Sequence, residues 1–148
     1  MAIGLIALGA TFLLTRPEVP FASSAGGSDR IGEVVVGKWY GISFAGREAG
    51  GDTEVRHVTL TTTGKGCEAS ARLLPAGTTP SVGFRFDQPL GRQARHFVFT
   101  KGSEQLSIYL RTTTGDRCAL TRMSVGLRHW GIPVSASIAQ DISLDATH

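Results

Sequence analysis

Thr61-Thr62-Thr63-Gly64-Lys65-Gly66-Cys67 recurs as Thr112-Thr113-Thr114-Gly115-Asp116-Arg117-Cys118, and this near-repeat constrains the fold more than any other feature of the chain. β-Branched threonine favours a pleated strand, glycine takes the positive φ of a tight turn, and each cysteine stands at the start of a return strand. Two hairpins of similar shape are therefore expected to bring Cys67 and Cys118, the two cysteines of the sequence, to the same end of the fold. A disulfide between them implies an oxidising compartment. Closing that loop stabilises the fold by about 3–4 kcal/mol on a chain-entropy argument. The alternative is two separate buried thiols.

The rest of the chain after Arg30 alternates with period two. Tyr40, Ile42 and Phe44 share one face of a run, Val82, Phe84 and Phe86 another, and Leu106, Ile108 and Leu110 a third. Cys67, Ala69, Ala71 and Leu73 line up in the same way, as do Phe97 and Phe99. Turn clusters separate the runs at 46–52, 64–66, 75–80, 88–93, 101–104 and 115–117. This pattern predicts an all-β domain over residues 31–148, an antiparallel barrel or sandwich of about eight short strands. From Val134 to Ile142 the pattern fits a last strand or a short helix.

The N-terminus is of another kind. Residues 1–21 hold an apolar, uncharged run from Ala2 to Leu14, with Ile3, Leu5, Ile6, Leu8, Phe12, Leu13 and Leu14 as the membrane-facing candidates. It is short for a transmembrane helix, which needs about 20 apolar residues, and Pro17 should end the helix near Thr15. As a secretory signal it has a small-residue site at Ser23-Ser24-Ala25 but no basic residue before the apolar core. Both readings imply export, and a retained helical anchor is the one expected here. Residues 22–30, small, polar and glycine-rich, read as a flexible linker.

The sequence carries few marks of chemistry. His57, His96, His129 and His148 show no metal-ligand spacing, Ser43 lacks the second glycine of a nucleophile elbow, and no glycine loop has the form that cradles phosphate. No catalytic residue, no metal and no cofactor is expected. The net charge is +3, with Arg92, Arg95 and His96 as the densest basic stretch. An exported basic domain beside a membrane is drawn to anionic headgroups or to an acidic partner. Nucleic acid is a poor reading, because the basic residues are scattered and aromatic content is low. Trp130, between His129 and Gly131, is a candidate partner contact together with Arg92 and Arg95, or else a plug for one end of the fold.

Gly37-Lys38-Trp39-Tyr40 resembles the Gly-x-Trp-Tyr opening of lipocalins. The resemblance implies a small barrel that holds apolar ligands, with Trp39 closing its floor against an arginine from the last barrel strand, Arg122 or Arg128. The same opening is reminiscent of small periplasmic protease inhibitors of lipocalin-like shape. The likeness covers four residues, and the later lipocalin motifs have no counterpart. Three functions follow as expectations. The first is a non-catalytic accessory subunit of a membrane protein complex, anchored in the inner membrane of a bacterial-type envelope with its β domain in the periplasm. The second is a carrier of a small apolar ligand, with room made by Ala69, Ala71 and Gly83. The third is a protease inhibitor.

Overall fold

The computed structural model describes residues 28–44, 53–75, 78, 83–98, 104–129 and 131–145. The apolar segment 1–21, Trp130 and His148 lie outside the described residues. Among the described residues ten strands form: β1 (Ser28–Ile31), β2 (Trp39–Phe44), β3 (Thr53–Thr63), β4 (Cys67–Pro75), β5 (Arg85–Phe86), β6 (Arg92–Gln93), β7 (Arg95–Val98), β8 (Glu104–Thr112), β9 (Cys118–His129) and β10 (Ile132–Leu144). They make two five-stranded sheets, in the orders β1-β10-β9-β3-β7 and β5-β2-β8-β4-β6. The domain is all-β, as the alternation predicts, and the sheets do not close into a barrel. Among the described residues every pairing is antiparallel except that of β1 with β10, which is parallel.

The two copies of the repeat are not hairpins within one sheet. Each carries the chain from one sheet to the other, β3 to β4 and β8 to β9, and the two crossings stack because β3 pairs with β9 and β4 with β8. The disulfide Cys67–Cys118, with Cα atoms 5.0 Å apart, thus joins the sheets to each other. The turns interlock. Gly66 O accepts from Thr113 N at 2.9 Å, and Lys65 O accepts from Thr114 Oγ1 at 2.6 Å. Gly64, at φ 115°, lies so close to the facing turn that a Cβ would fall 2.1 Å from Arg117 O. Only glycine fits there.

Between the sheets lies one core. Leu106, Ile108 and Leu110 of β8 are fully buried, as alternation places them, against Val55 of β3 and Leu120, Met123, Val125 and Leu127 of β9. β9 keeps its apolar residues inward through a register shift beside Thr121, after which the inward set resumes at Met123. β10 is a strand along its whole length rather than a short helix, because Val134, Ala136, Ile138 and Ile142 supply the inward face. β1 occupies the last three residues of the segment read as linker. It is held by its parallel ladder to Asp141–Leu144 and by an Arg30–Asp145 ion pair.

One run departs from its expected role. Phe84 is 62% exposed instead of sharing a core face with Phe86. The segment from Gly83 to Gly91 folds over the outer face of the second sheet, where Phe86 meets Tyr109 edge-on at 5.7 Å between centroids. That cover buries Ser107 and Tyr109, so β8 is buried on both faces. Burial raises the Tyr109 phenol pKa above its ordinary value, with the Leu90 backbone and the Arg72 charge acting the other way.

Candidate functional site

A cleft of about 530 Å³ opens at one lateral seam of the sandwich, between β3 and β4. Its place follows from the topology. β3 and β4 converge at the Gly64–Gly66 turn and diverge away from it, while the chain from β6 to β7 crosses between them at the wide end. Ala94 is the corner of that crossing. It is buried, and its N–H donates to Ala71 O at 3.1 Å, which pins the corner against β4. β6 thereby stays with the second sheet and β7 with the first.

The lining divides by polarity. Val58, Ala69, Ala71 and Ala94 present an apolar inner side continuous with the core. The small side chains at 69 and 71 leave the volume that larger residues would fill. At the rim stand Arg56, Gln93 and Arg95, with Ser70 and Thr59 between them. Arg56 is half-buried and donates from Nη1 to Glu54 Oε1 at 2.9 Å. Arg95 is exposed, and no carboxylate is among the described lining residues. Chemically this is a half-open, mostly polar cleft with an apolar inner side under two guanidinium groups, of a volume usual for small-molecule sites.

Backbone irregularity aims the basic rim. Between Val55 and His57 the β3–β9 register shifts, so that Arg56 is an extra residue in its strand. His57 then covers Gly126 of β9, where a Cβ would come within 2.2 Å of the imidazole Cε1. Any side chain at 126 would displace this ring from the cleft wall.

The residues singled out from the sequence are scattered by the fold. Arg95 lines the cleft, whereas Arg92, exposed on β6, does not. His129 is the last residue of β9 and its side chain, like Trp130, lies outside the description. So do Ile3, Leu5, Ile6, Leu8, Phe12, Leu13 and Leu14. Trp39 is buried and carries a guanidinium 4.5 Å from its ring centroid, but the arginine is Arg111 of β8. Arg122 and Arg128 are exposed on β9. The reason is topological: Trp39 lies on β2, whose neighbours in the second sheet are β5 and β8, while β9 belongs to the first sheet. Arg111 also pairs with Glu68 across the β4–β8 ladder. Arg56, His57 and Val58 were not marked as site residues by the sequence, since nothing local announces a bulge.

Among the described residues no group of three His, Cys, Asp or Glu side chains is placed to hold a metal ion, and no helix is long and apolar enough to cross a membrane. Comparison with protein-family models, with curated proteins and with solved structures finds no match to this chain.

Proposed function

We propose that this protein is a non-catalytic binding domain, held at the exported face of a membrane by its N-terminal apolar segment, and that the seam cleft captures a small anionic ligand with an apolar part. The observation that carries this reading is the cleft itself. An apolar inner side of Val58, Ala69, Ala71 and Ala94 sits under Arg95 and the Glu54-paired Arg56, with no carboxylate among the described lining residues. Ala69 and Ala71 make room for a ligand, as the carrier reading requires, although at a seam rather than inside a closed barrel. The charge at the rim narrows the ligand from apolar to anionic and amphipathic. An accessory subunit of a membrane complex remains the setting in which such a tethered domain would work, in a periplasm-like compartment that suits its disulfide.

The test uses the full chain in mild detergent with octanoate and octyl phosphate as probes and octanol as the uncharged control. Both anions should shift resonances of Ala69, Ala71 and Ala94, and octanol should not. Arg95→Gln should weaken binding about tenfold, the size of a lost charge-assisted hydrogen bond. Ala71→Trp should abolish it by filling the slot. Equal binding of octanol, or anion binding indifferent to Ala71→Trp, overturns the assignment of the cleft. The anchoring is tested separately, by N-terminal sequencing of protein from native membranes. A mature chain that begins near Gly26 and behaves as a free soluble monomer overturns it.

A further inference from the structure

The outer face of the first sheet carries an inference independent of the cleft. Arg95 of β7, His57 of β3, Gly126 of β9 and Ser135 of β10 stand opposite one another in turn and form one row across four strands. The row faces outward, because Val125 and Leu127 on either side of Gly126 point into the core. Three distances fix how the His57 ring lies on it. A Cβ built on Gly126 would stand 2.2 Å from Cε1 and 2.6 and 2.7 Å from the two ring nitrogens. A point in the ring plane beyond Cε1 would be much farther from the nitrogens than from Cε1, so this point stands over the face of the ring. The imidazole therefore lies flat on the backbone of β9. It buries Gly126 while His57 itself stays exposed, which leaves one face of the ring sealed and the other open to solvent.

Short hydroxyls and unpaired arginines surround this ring. The next outward row is Thr59, Ser124 and Ser137, where Ser124 Oγ donates to Ser137 Oγ at 3.4 Å. Arg122 and Arg128, both exposed on β9, close the platform at its two ends, about 20 Å apart along the strand. Exposed Arg95 bounds it at the side. Among the described residues none of these three arginines pairs with a carboxylate. Glu54, opposite Arg128, is taken by Arg56, and Asp141 lies beyond the β10 register shift. None of the exposed large apolar side chains among the described residues stands on this face.

We propose that this face binds an acidic oligosaccharide, with one sugar ring on the open side of His57 and the carboxylates of its chain on the arginines. Three features converge on that class. The open imidazole face stacks against a flat ring, the flanking hydroxyls match a ligand rich in hydroxyls, and cations set about 20 Å apart match anions repeated along a chain. Other polyanionic or bulky partners call for what the face lacks. A nucleic-acid strand needs a succession of stacking rings, an anionic bilayer needs apolar or aromatic side chains at its surface, and a protein partner needs large anchors.

The test titrates the full chain, in a polyoxyethylene detergent that carries no sugar, with trigalacturonate as the probe and maltotriose as its neutral control. Trigalacturonate should shift the His57 ring and the amides of Ser124, Gly126 and Ser137, and leave those of Ala69 and Ala71 in place. Arg122→Gln with Arg128→Gln should weaken its binding about tenfold. His57→Ala should weaken it about fivefold, and His57→Phe, which keeps a flat ring, should restore it. Circular dichroism checks that the variants keep the fold. Equal binding of maltotriose, or binding of trigalacturonate indifferent to His57→Ala, overturns the proposal. So does the absence of any shift at about 10 mM probe. Tighter binding of oligodeoxyadenylate, or of phosphatidylglycerol in mixed micelles, overturns it as well, because the face then belongs to another polyanion. The cleft stands or falls separately, with octyl phosphate.

Discussion

The interlocked turns at the disulfide end and the Gly83–Gly91 segment, which leaves the short β5 to cross the second sheet, are held to different degrees. The turns are held by backbone: Gly66 O against Thr113 N, Lys65 O under the Thr114 hydroxyl, Gly64 against Arg117 O, and the Cys67–Cys118 bond beside them. The covering segment has backbone bonds to β2 at its start, between Gly41 N and Phe84 O and between Gly83 N and Gly41 O, and beyond β5 rests on side chains and one close backbone approach. Phe86 lies on Tyr109, Lys38 pairs with Asp87, and Gly91 abuts Leu73 O and Leu74. The first arrangement tolerates almost no substitution because its partners cannot move. The second rests on contacts that loosen one at a time.

Removing the disulfide is the strongest way to test the rigid region. Cys67→Ser with Cys118→Ser frees a loop with a sequence separation of 51 residues and should cost about 4 kcal/mol on the chain-entropy scale. Urea unfolding of the full chain, oxidised and doubly substituted, measures it. A loss below about 1 kcal/mol would mean that the interlocked turns alone hold the two sheets together at this end.

Matched glycine substitutions set the two regions against each other. Gly64→Ala meets both a positive φ and the Arg117 carbonyl, so about 3 kcal/mol should be lost from strain and overpacking together. Gly83→Ala has a similar positive φ of 88° but open space around the added methyl, and should cost about 1 kcal/mol. Equal losses would show that backbone conformation, not interlocking, makes the turn rigid.

Phe86→Ala probes the covering segment through its best-packed side chain. Half-buried, with one edge-to-face contact, it should lose about 1–2 kcal/mol. Tyr109 fluorescence and amide exchange at Ser107 should report the uncovered face of β8 while the Cys118 end stays protected.

The same contrast explains what was legible in the sequence. The repeat announced the disulfide end because each copy has the other as its neighbour, so one pattern carried both halves of the contact. Leu106, Ile108 and Leu110 were equally legible, since alternation on β8 reads directly as burial. Phe84 and Phe86 obeyed the same alternation and misled, because their segment packs on the outside of a sheet that period two treats as solvent-facing. The cleft was half legible. Ala69 and Ala71 stood out as small residues in a strand, but Arg56 and His57 reached the rim through a register shift that no residue type encodes. Arg111 was missed for another reason: stacking on Trp39 depends on which strand becomes the neighbour of β2, and sheet order is not written in either strand.

The smallest expected effect lies at the outer margin of the covering segment. Asp87 is exposed, and its carboxyl is held below the ordinary value of 3.8, first by its hydrogen bond to Lys38 and then by the Lys38 and Arg85 charges. A carboxyl whose pKa is lowered in the fold stabilises it above the unfolded value and loses that contribution as pH falls through the folded value. The window is therefore acidic, from about pH 4 downward, and salt should narrow it because both partners face solvent. Following the Asp87 carboxyl carbon by NMR across that range in the full chain gives the folded pKa. Lys38→Met should raise it while leaving the resonances of Gly64–Gly66 in place. If those turn resonances moved with the Asp87 titration, the two regions would be coupled, and the division between a backbone-locked end and an independently held cover would fail.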